Sequence, residues 1–152
     1  MEQVRSSSID TKYLIDHLCY RVADLDRYDE LRDALTPFAS EVATTIHNNR
    51  KFSIFKLKEP LRVGDYSIPM IELPTPEEDN TYAEGLEHLE MVVDTDFDVF
   101  CMENEPVLLG HIDDTANPTV RITYKGLGSV RFHPISLEKA VELQGDKFVP
   151  VG

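Results

Sequence analysis

Apolar and polar residues alternate in several short segments of the chain, as they do in strands with one buried face. In residues 16–22 the alternation places His17, Cys19 and Arg21 on one face. The apolar positions of this segment also fit a helical stripe, so a helix is the competing interpretation. We favour the strand because residues 87–93 show a similar pattern in the second half of the chain.

A clear helix follows this first segment. Apolar residues recur at helical spacing across residues 25–35, Asp24 precedes them as a cap, and Pro37 marks the end. Three strands are then predicted, at residues 42–46, 52–61 and 66–72. An Asn-rich turn at residues 47–50 separates the first two, and Pro69 suggests an edge or bulge position for the third.

The same order of elements repeats after a Pro- and acid-rich loop at residues 74–86. The second set is a strand, a weak helix, three strands and a short helix capped by Ser136, at residues 87–94, 97–104, 107–112, 119–124, 129–133 and 137–143. The pattern predicts an α+β fold made of two βαβββ modules. The first module spans about residues 12–76 and the second about residues 84–143, within one domain, residues 1–152.

Composition and charge restrict the function. The formal net charge of −13 argues against a nucleic-acid partner, because no basic stripe is present to neutralise phosphates. An anionic substrate would therefore need a local positive group or a bound metal. Cys19 and Cys101 are too few for a disulfide framework, and no apolar run has the length of a membrane span or signal peptide. We expect a cytoplasmic protein with no membrane partner.

Four residues with metal-binding side chains recur in a rough two-fold pattern: His17, Glu72, His88 and His133. Imidazole and carboxylate are ligands that suit Zn, Fe, Ni and Mn. Two histidines and Glu72 would leave positions open for water and a bidentate substrate, whereas adding His133, aligned with Glu72, would give a fuller site. The competing interpretation is that each histidine is an ordinary half-buried strand residue.

Three further side chains could take part in catalysis or substrate binding beside such a metal. Glu90 shares the strand face of His88 and could act as a general base or as an alternative ligand. Arg21, on the face of His17, and Arg50, at the turn, could pair with a substrate carboxylate. Ordinary ion pairs or solvation are the competing interpretations for all three.

Several blocks of the sequence resemble the YecM family, a branch of the vicinal oxygen chelate superfamily that contains glyoxalase I, extradiol dioxygenases and fosfomycin-resistance proteins. The similar blocks are DHLCYR, the turn at residues 48–50, FKLKEPLRV, IELPTP, EGLEHLEMVV and RFHPISLEKAV. Their order covers most of the chain. The interval before Pro118 is shorter than the family pattern, which predicts that part of the second module is trimmed.

The resemblance implies a curved sheet in which the two modules lie side by side around a central cleft that holds a divalent metal. His17, Glu72, His88 and His133 map onto the ligand-bearing strands. The implied function is a metal-dependent enzyme for a small oxygen-chelating substrate, of isomerase, lyase or dioxygenase type. The alternative is a protein that binds or sequesters a small molecule without catalysis, as bleomycin-resistance proteins do. The sequence does not decide whether the chain forms a homodimer.

Overall fold

The computed structural model describes residues 13–79, 83–105, 109–112, 117–124 and 128–152. Its strands are β1 (Ile15–Arg21), β2 (Ala39–His47), β3 (Arg50–Val63), β4 (Tyr66–Pro74), β5 (Gly85–Val92), β6 (Leu109–Ile112), β7 (Thr119–Tyr124), β8 (Gly128–His133) and β9 (Val149–Pro150). The helices are α1 (Leu25–Leu35), α2 (Phe97–Asn104) and α3 (Leu137–Leu143), and a 3-10 turn (Thr36–Phe38) follows α1. No helix within the described ranges is long and apolar enough to cross a membrane.

The strands form one curved sheet in the order β6-β7-β8-β5-β1-β4-β3-β2-β9. Within each half, the first strand pairs in parallel with the fourth, β1 with β4 and β5 with β8. The two halves join edge to edge because β1 and β5 pair in the antiparallel direction. This topology confirms the predicted α+β architecture of two βαβββ modules.

The segment that carries His17 is a strand, as predicted, and its burial explains why the helical interpretation is wrong. Ile15, Asp16 and His17 are buried in succession. An amphipathic helix would bury only one stripe, whereas a central strand is covered on both faces. The strand β1 lies in the middle of the sheet, between β4 and β5.

The prediction for Pro69 is half right. The strand β4 lies between β1 and β3, so the edge position is wrong. The register between β3 and β4 shifts between Lys56 and Leu61, which pair with Met70 and Ile68. Pro69 therefore faces an irregularity in β3, where a missing backbone donor costs little.

The helices pack on opposite faces of the sheet. Tyr28 of α1 packs with Phe55 and Leu73, while Phe100 of α2 packs with the cluster that contains Phe132. These sheet residues point away from the face of Glu72 and Glu90, because neighbouring residues on a strand alternate. The helix α3 lies on the other face, where Val141 packs against Ala43, Ile54 and Met70. The concave face therefore carries both α3 and the candidate metal ligands.

The start of β8 requires glycine. Gly128 has a φ of +88°, and a Cβ atom there would lie 2.8 Å from the backbone oxygen of Glu87. The close approach lets β8 run alongside β5. It therefore helps to position the side chains of β8 at the junction of the modules.

Candidate metal centre

Strand pairing brings the candidate ligands together at the junction of the two modules. His17 pairs with Glu90 and Cys19 pairs with His88 between β1 and β5. Cys19 also pairs with Glu72 of β4 on its other side. Side chains of paired residues point to the same face of a sheet, so three strands deliver these groups to one place.

Glu90 lies among three imidazole rings. Its Oε2 atom is 2.9 Å from Nε2 of His17, and its Oε1 atom is 2.9 Å from Nε2 of His88. Nε2 of His133 also contacts Oε2 of Glu90. All four residues are buried, with His17 0% exposed and Glu90 6% exposed. The four side chains thus form one charged cluster shielded from solvent.

Three ring nitrogens of His17 and His88 lack a well-aligned hydrogen bond within the described residues. Nε2 of His17 and both ring nitrogens of His88 are buried without a hydrogen-bond partner among the described residues, although a carboxylate oxygen lies near both Nε2 atoms. A buried polar atom without a partner costs free energy unless something else binds it. Ligand atoms of His17, Glu72 and His88 all lie within 4.8 Å of one another. Two ligands of one cation lie at most about 4.4 Å apart, because metal–nitrogen and metal–oxygen bonds are about 2.0–2.2 Å long, so small side-chain movements would suffice to bring the three ligand atoms onto one cation.

The cluster shifts the proton equilibria of its members. Burial alone would lower the pKa of His17, but the carboxylates of Glu90 and Asp16 outweigh it and hold that pKa well above 6.5. Burial alone would raise the pKa of Glu90, but His17, His133 and His88 hold it well below 4.5. Without a metal, the cluster therefore contains an imidazolium–carboxylate pair.

Asp16 fixes the orientation of His17. Its Oδ2 atom accepts a hydrogen bond from Nδ1 of His17 at 2.7 Å and another from the backbone N–H of Leu137 at 2.9 Å. An acceptor on Nδ1 leaves Nε2 as the nitrogen that can bind a metal. Because Leu137 begins α3, the same carboxylate ties the helix on the concave face to the candidate ligand.

His133 is placed two residues away from its predicted alignment with Glu72. Glu72 pairs with Cys19, which is two residues after His17. In the second module, Glu90 is two residues after His88, and Glu90 pairs with Arg131. A shift of two residues preserves the face of a strand, so His133 still points to the concave side and reaches the cluster through Glu90.

The two arginines predicted to bind substrate contact the loop after β4 and the residues before β5. Nε of Arg21 donates to the carbonyl of Ala83 at 2.8 Å. Arg50 donates to the carbonyl of Thr75 at 3.1 and 2.8 Å and contacts Glu77 at 3.3 Å. These contacts hold loop segments at the ends of β1 and β3. A role for either arginine in substrate binding stays a prediction.

A cavity of about 420 Å³ opens beside the cluster. Glu72, Glu90, Arg131 and His133 contribute its charged and imidazole walls, and α3 with neighbouring residues provides much of its apolar wall. His17 and His88 lie behind the wall. The cavity has room for a small molecule next to the candidate ligands.

A second group of potential ligands shares His88. It combines His88 with Cys19 and Glu87. Burial raises the pKa of the Cys19 thiol well above 9.0, and Glu72 and Glu87 raise it further. Glu72 lines the cavity, whereas Cys19 and Glu87 do not, so we favour the group that contains His17.

Two residues of this region escaped the sequence analysis. Asp16 lies next to His17 in a regular alternation and should face the other way, but a register shift between Ile15 and His17 interrupts the strand. Arg131 lies two residues before His133 and therefore on the same predicted strand face. The alternation of β8 was the signal that could have identified it.

Comparisons with known proteins agree with the fold. The sequence pattern of the family described as YecM protein matches residues 3–112. The chain is 27% identical over 151 residues to Protein YecM of Escherichia coli (strain K12), with 86% of this chain and 78% of that protein covered.

Solved structures show the same architecture. A structural genomics protein matches with a TM-score of 0.76 and 23% identity, over 94% of this chain and 86% of that chain. Methylmalonyl-CoA epimerase from Mycobacterium tuberculosis matches with a TM-score of 0.56 and 17% identity, over 90% and 99% of the two chains. A methylmalonyl-CoA epimerase in complex with methylmalonyl-CoA and NH4+ matches with a TM-score of 0.54 and 19% identity, over 80% and 93%.

Proposed function

Since the chain belongs to the YecM family and has the vicinal oxygen chelate fold, we propose that it is a divalent-metal-dependent enzyme for a small substrate with two chelating oxygens. The reaction we favour is an isomerisation by proton transfer. The observation that carries the proposal is the convergence of His17, Glu72 and His88, whose ligand atoms lie within 4.8 Å of one another. Two imidazoles and one carboxylate leave coordination positions open for a substrate.

The cation would polarise two oxygens of the substrate and stabilise the negative charge that develops on them. Glu90 and Glu72 line the same cavity, so the carboxylate of Glu90 borders the space in which the substrate would lie. Glu90 accepts a proton from a substrate carbon and returns it to a different face or position. His133 contacts this carboxylate and holds its orientation.

Proton transfer is favoured over the other two reaction types for two reasons. The cavity provides a carboxylate, Glu90, that is separate from the proposed ligand set and can act as the base. The name methylmalonyl-CoA epimerase, carried by two similar structures, describes a proton-transfer isomerase of the same fold. A dioxygenase would instead require a redox-active metal and uptake of oxygen.

A second function, ligand binding without catalysis, is favoured by the position of α3. The helix packs on the concave face of the first module, where Val141 contacts Ile54 and Met70. Its next residue, Gln144, accepts a hydrogen bond from Thr45 at 2.7 Å. A cleft that is covered on one side suits a protein that retains a small molecule.

Elemental analysis of the protein purified without chelator tests the metal centre. We expect about one equivalent of divalent metal in the wild-type chain and less than about a tenth in His17→Ala and His88→Ala. His47→Ala is the matched control, because His47 lines the same cavity but belongs to neither candidate group of ligands. Full metal content in both variants of the buried histidines would overturn the proposal.

Proton exchange separates the enzyme from the binding protein. The metal-loaded chain is incubated in D₂O with small 2-oxo and 2-hydroxy carboxylates, and the carbon-bound protons are followed by NMR. Loss of a proton signal with wild-type protein but not with Glu90→Gln supports the isomerase. Tight binding without exchange favours the second function, and oxygen uptake with Fe²⁺ favours a dioxygenase.

A further inference from the structure

We propose that Arg131, assisted by Arg121, binds a carboxylate of the substrate beside the metal centre. The inference rests on the proposed function and adds the substrate class: a small compound with two chelating oxygens and a further carboxylate. Arg131 provides the local positive group that an anionic substrate needs in a chain of net charge −13.

The strand pairing places the two arginines next to each other and next to the cluster. Arg131 of β8 pairs with Glu90 of β5 on one side and with Arg121 of β7 on the other. Paired side chains share a face of the sheet, so both arginines belong to the concave face. Arg131 also lines the cavity that Glu72 and Glu90 line.

Both arginines are half-buried, and their Nε atoms lack the partners that buried donors usually have. Nε of Arg131 and Nε of Arg121 are buried without a hydrogen-bond partner among the described residues. Neither side chain forms an ion pair within those residues, although the whole chain has 28 acidic residues. Two adjacent like charges with unsatisfied donors are unfavourable unless an anion binds them.

The nearest acid in the pairing, Glu90, is occupied by other groups. Its two oxygens contact His17, His88 and His133. The guanidinium of Arg131 is therefore left for the cavity. Its planar fork matches a carboxylate, which can accept two parallel hydrogen bonds.

The repeat of the modules gives Arg131 a defined position. Glu72 of β4 pairs with Cys19, two residues after His17, and Arg131 of β8 pairs with Glu90, two residues after His88. Arg131 therefore occupies in the second module the position that Glu72 occupies in the first. One module thus offers a carboxylate for the cation, and the other offers a cationic guanidinium group for an anion. A substrate that chelates the cation beside Glu72 would direct a further carboxylate towards Arg131.

Binding of two probes to the Zn²⁺-loaded protein tests the inference. Glycolate has a chelating hydroxyl and carboxylate, and tartronate has the same pair with one more carboxylate. Calorimetry should give a Kd for tartronate at least about tenfold lower than for glycolate, as a charge-assisted hydrogen bond predicts. In Arg131→Gln the two values should agree within about twofold, and Arg121→Gln should lose part of the preference.

Matched variants and metal analysis make the result specific. Arg62→Gln removes the same charge at an exposed position on β3 and should keep the preference of the wild-type chain. Arg131→Gln should retain one equivalent of zinc, and its thermal melt reports folding. If it does not fold, Arg131→Lys keeps the charge without the fork and should lose most of the preference.

The outcomes separate the inference from the proposed function. Equal affinities for the two probes in the wild-type chain, or an unchanged preference in Arg131→Gln, would overturn the role of Arg131. If the wild-type chain holds no metal, the metal centre fails, and malonate is titrated into the metal-free protein instead. Malonate binding that Arg131→Gln abolishes would still support the carboxylate site, and binding that it leaves unchanged would reject it.

Discussion

His17 of β1 stands opposite Glu90 of β5, with its Nε2 atom 2.9 Å from the Oε2 atom of the carboxylate. The two strands belong to different modules and meet at the central pairing of the sheet. The cluster therefore depends on the junction of the modules, and neither half contains it alone.

Substitutions of the two acids should separate a ligand from a base. Glu72→Gln should lower zinc affinity by about tenfold or more, because a neutral amide is a weaker ligand than a carboxylate. Glu90→Gln should keep one equivalent of zinc and lose proton exchange. Calorimetric titration of zinc measures the first effect, with Glu59→Gln, at an exposed position of β3, as a control that should bind zinc as the wild-type chain does. A stronger loss of zinc in Glu90→Gln than in Glu72→Gln would make Glu90 the ligand.

Replacement of Asp16 should weaken the metal site without removing a proposed ligand. Asp16→Asn loses the charged acceptor for Nδ1 of His17 and for the backbone N–H of Leu137. We expect zinc affinity to fall by about 10–100-fold, as is typical when the partner of a ligating histidine is removed. Asp33→Asn, at an exposed acid of α1, is the matched control in the same titration. Unchanged affinity in Asp16→Asn would show that this hydrogen bond does not support the ligand.

The contribution of this cluster to the stability of the metal-free protein should be largest between about pH 4.5 and pH 6.5. The pKa of His17 is raised above 6.5 in the folded state, so its stabilisation is present below 6.5 and is lost as pH rises through the raised value. The pKa of Glu90 is lowered below 4.5, so its stabilisation is present above 4.5 and is lost as pH falls through the lowered value.

Urea unfolding from about pH 5.5 to about pH 8.5 checks this dependence. Without metal, the free energy of unfolding should fall with rising pH more steeply in the wild-type chain than in His17→Gln. Zinc should reverse the trend, because metal binding requires the neutral imidazole. An identical pH dependence in both metal-free proteins would contradict the assigned pKa shift.

Gly128 should tolerate substitution far less than Gly145. Both residues have positive φ values, +88° and +85°, but only at Gly128 would a Cβ atom meet backbone, at 2.8 Å from Glu87. Gly128→Ala should therefore cost about 1–3 kcal/mol more than Gly145→Ala, measured as the free energy of unfolding. Equal costs would mean that β8 can move away from β5 without penalty.

The sequence predicted the elements and the meeting of the two halves better than it predicted the side chains around the site. The alternation around His17 and the helix cap at Asp24 are local signals, and both agree with the structure. The convergence of His17, Glu72 and His88 followed from the repeated order of elements and the family resemblance. Local periodicity and repetition thus carry the architecture.

Pairing between strands could not be read in the same way. The position of His133 relative to Glu72 depends on how β8 aligns with β5, and two residues of slip leave the alternation unchanged. The contact of Asp16 with His17 depends on an irregularity in β1, which no regular pattern contains. The helix α3 covers one side of the cleft because Val141 packs against residues that are far away in sequence, such as Ile54 and Met70.

The central claim is that one divalent cation is held between the two modules. Anomalous diffraction at the zinc edge from crystals of the zinc-loaded chain tests it most directly. A single peak within bonding distance of Nε2 of His17, a carboxylate oxygen of Glu72 and a ring nitrogen of His88 is the expected result. A peak at Cys19 and Glu87 instead, or no peak near His17 in a zinc-saturated crystal, would contradict the account.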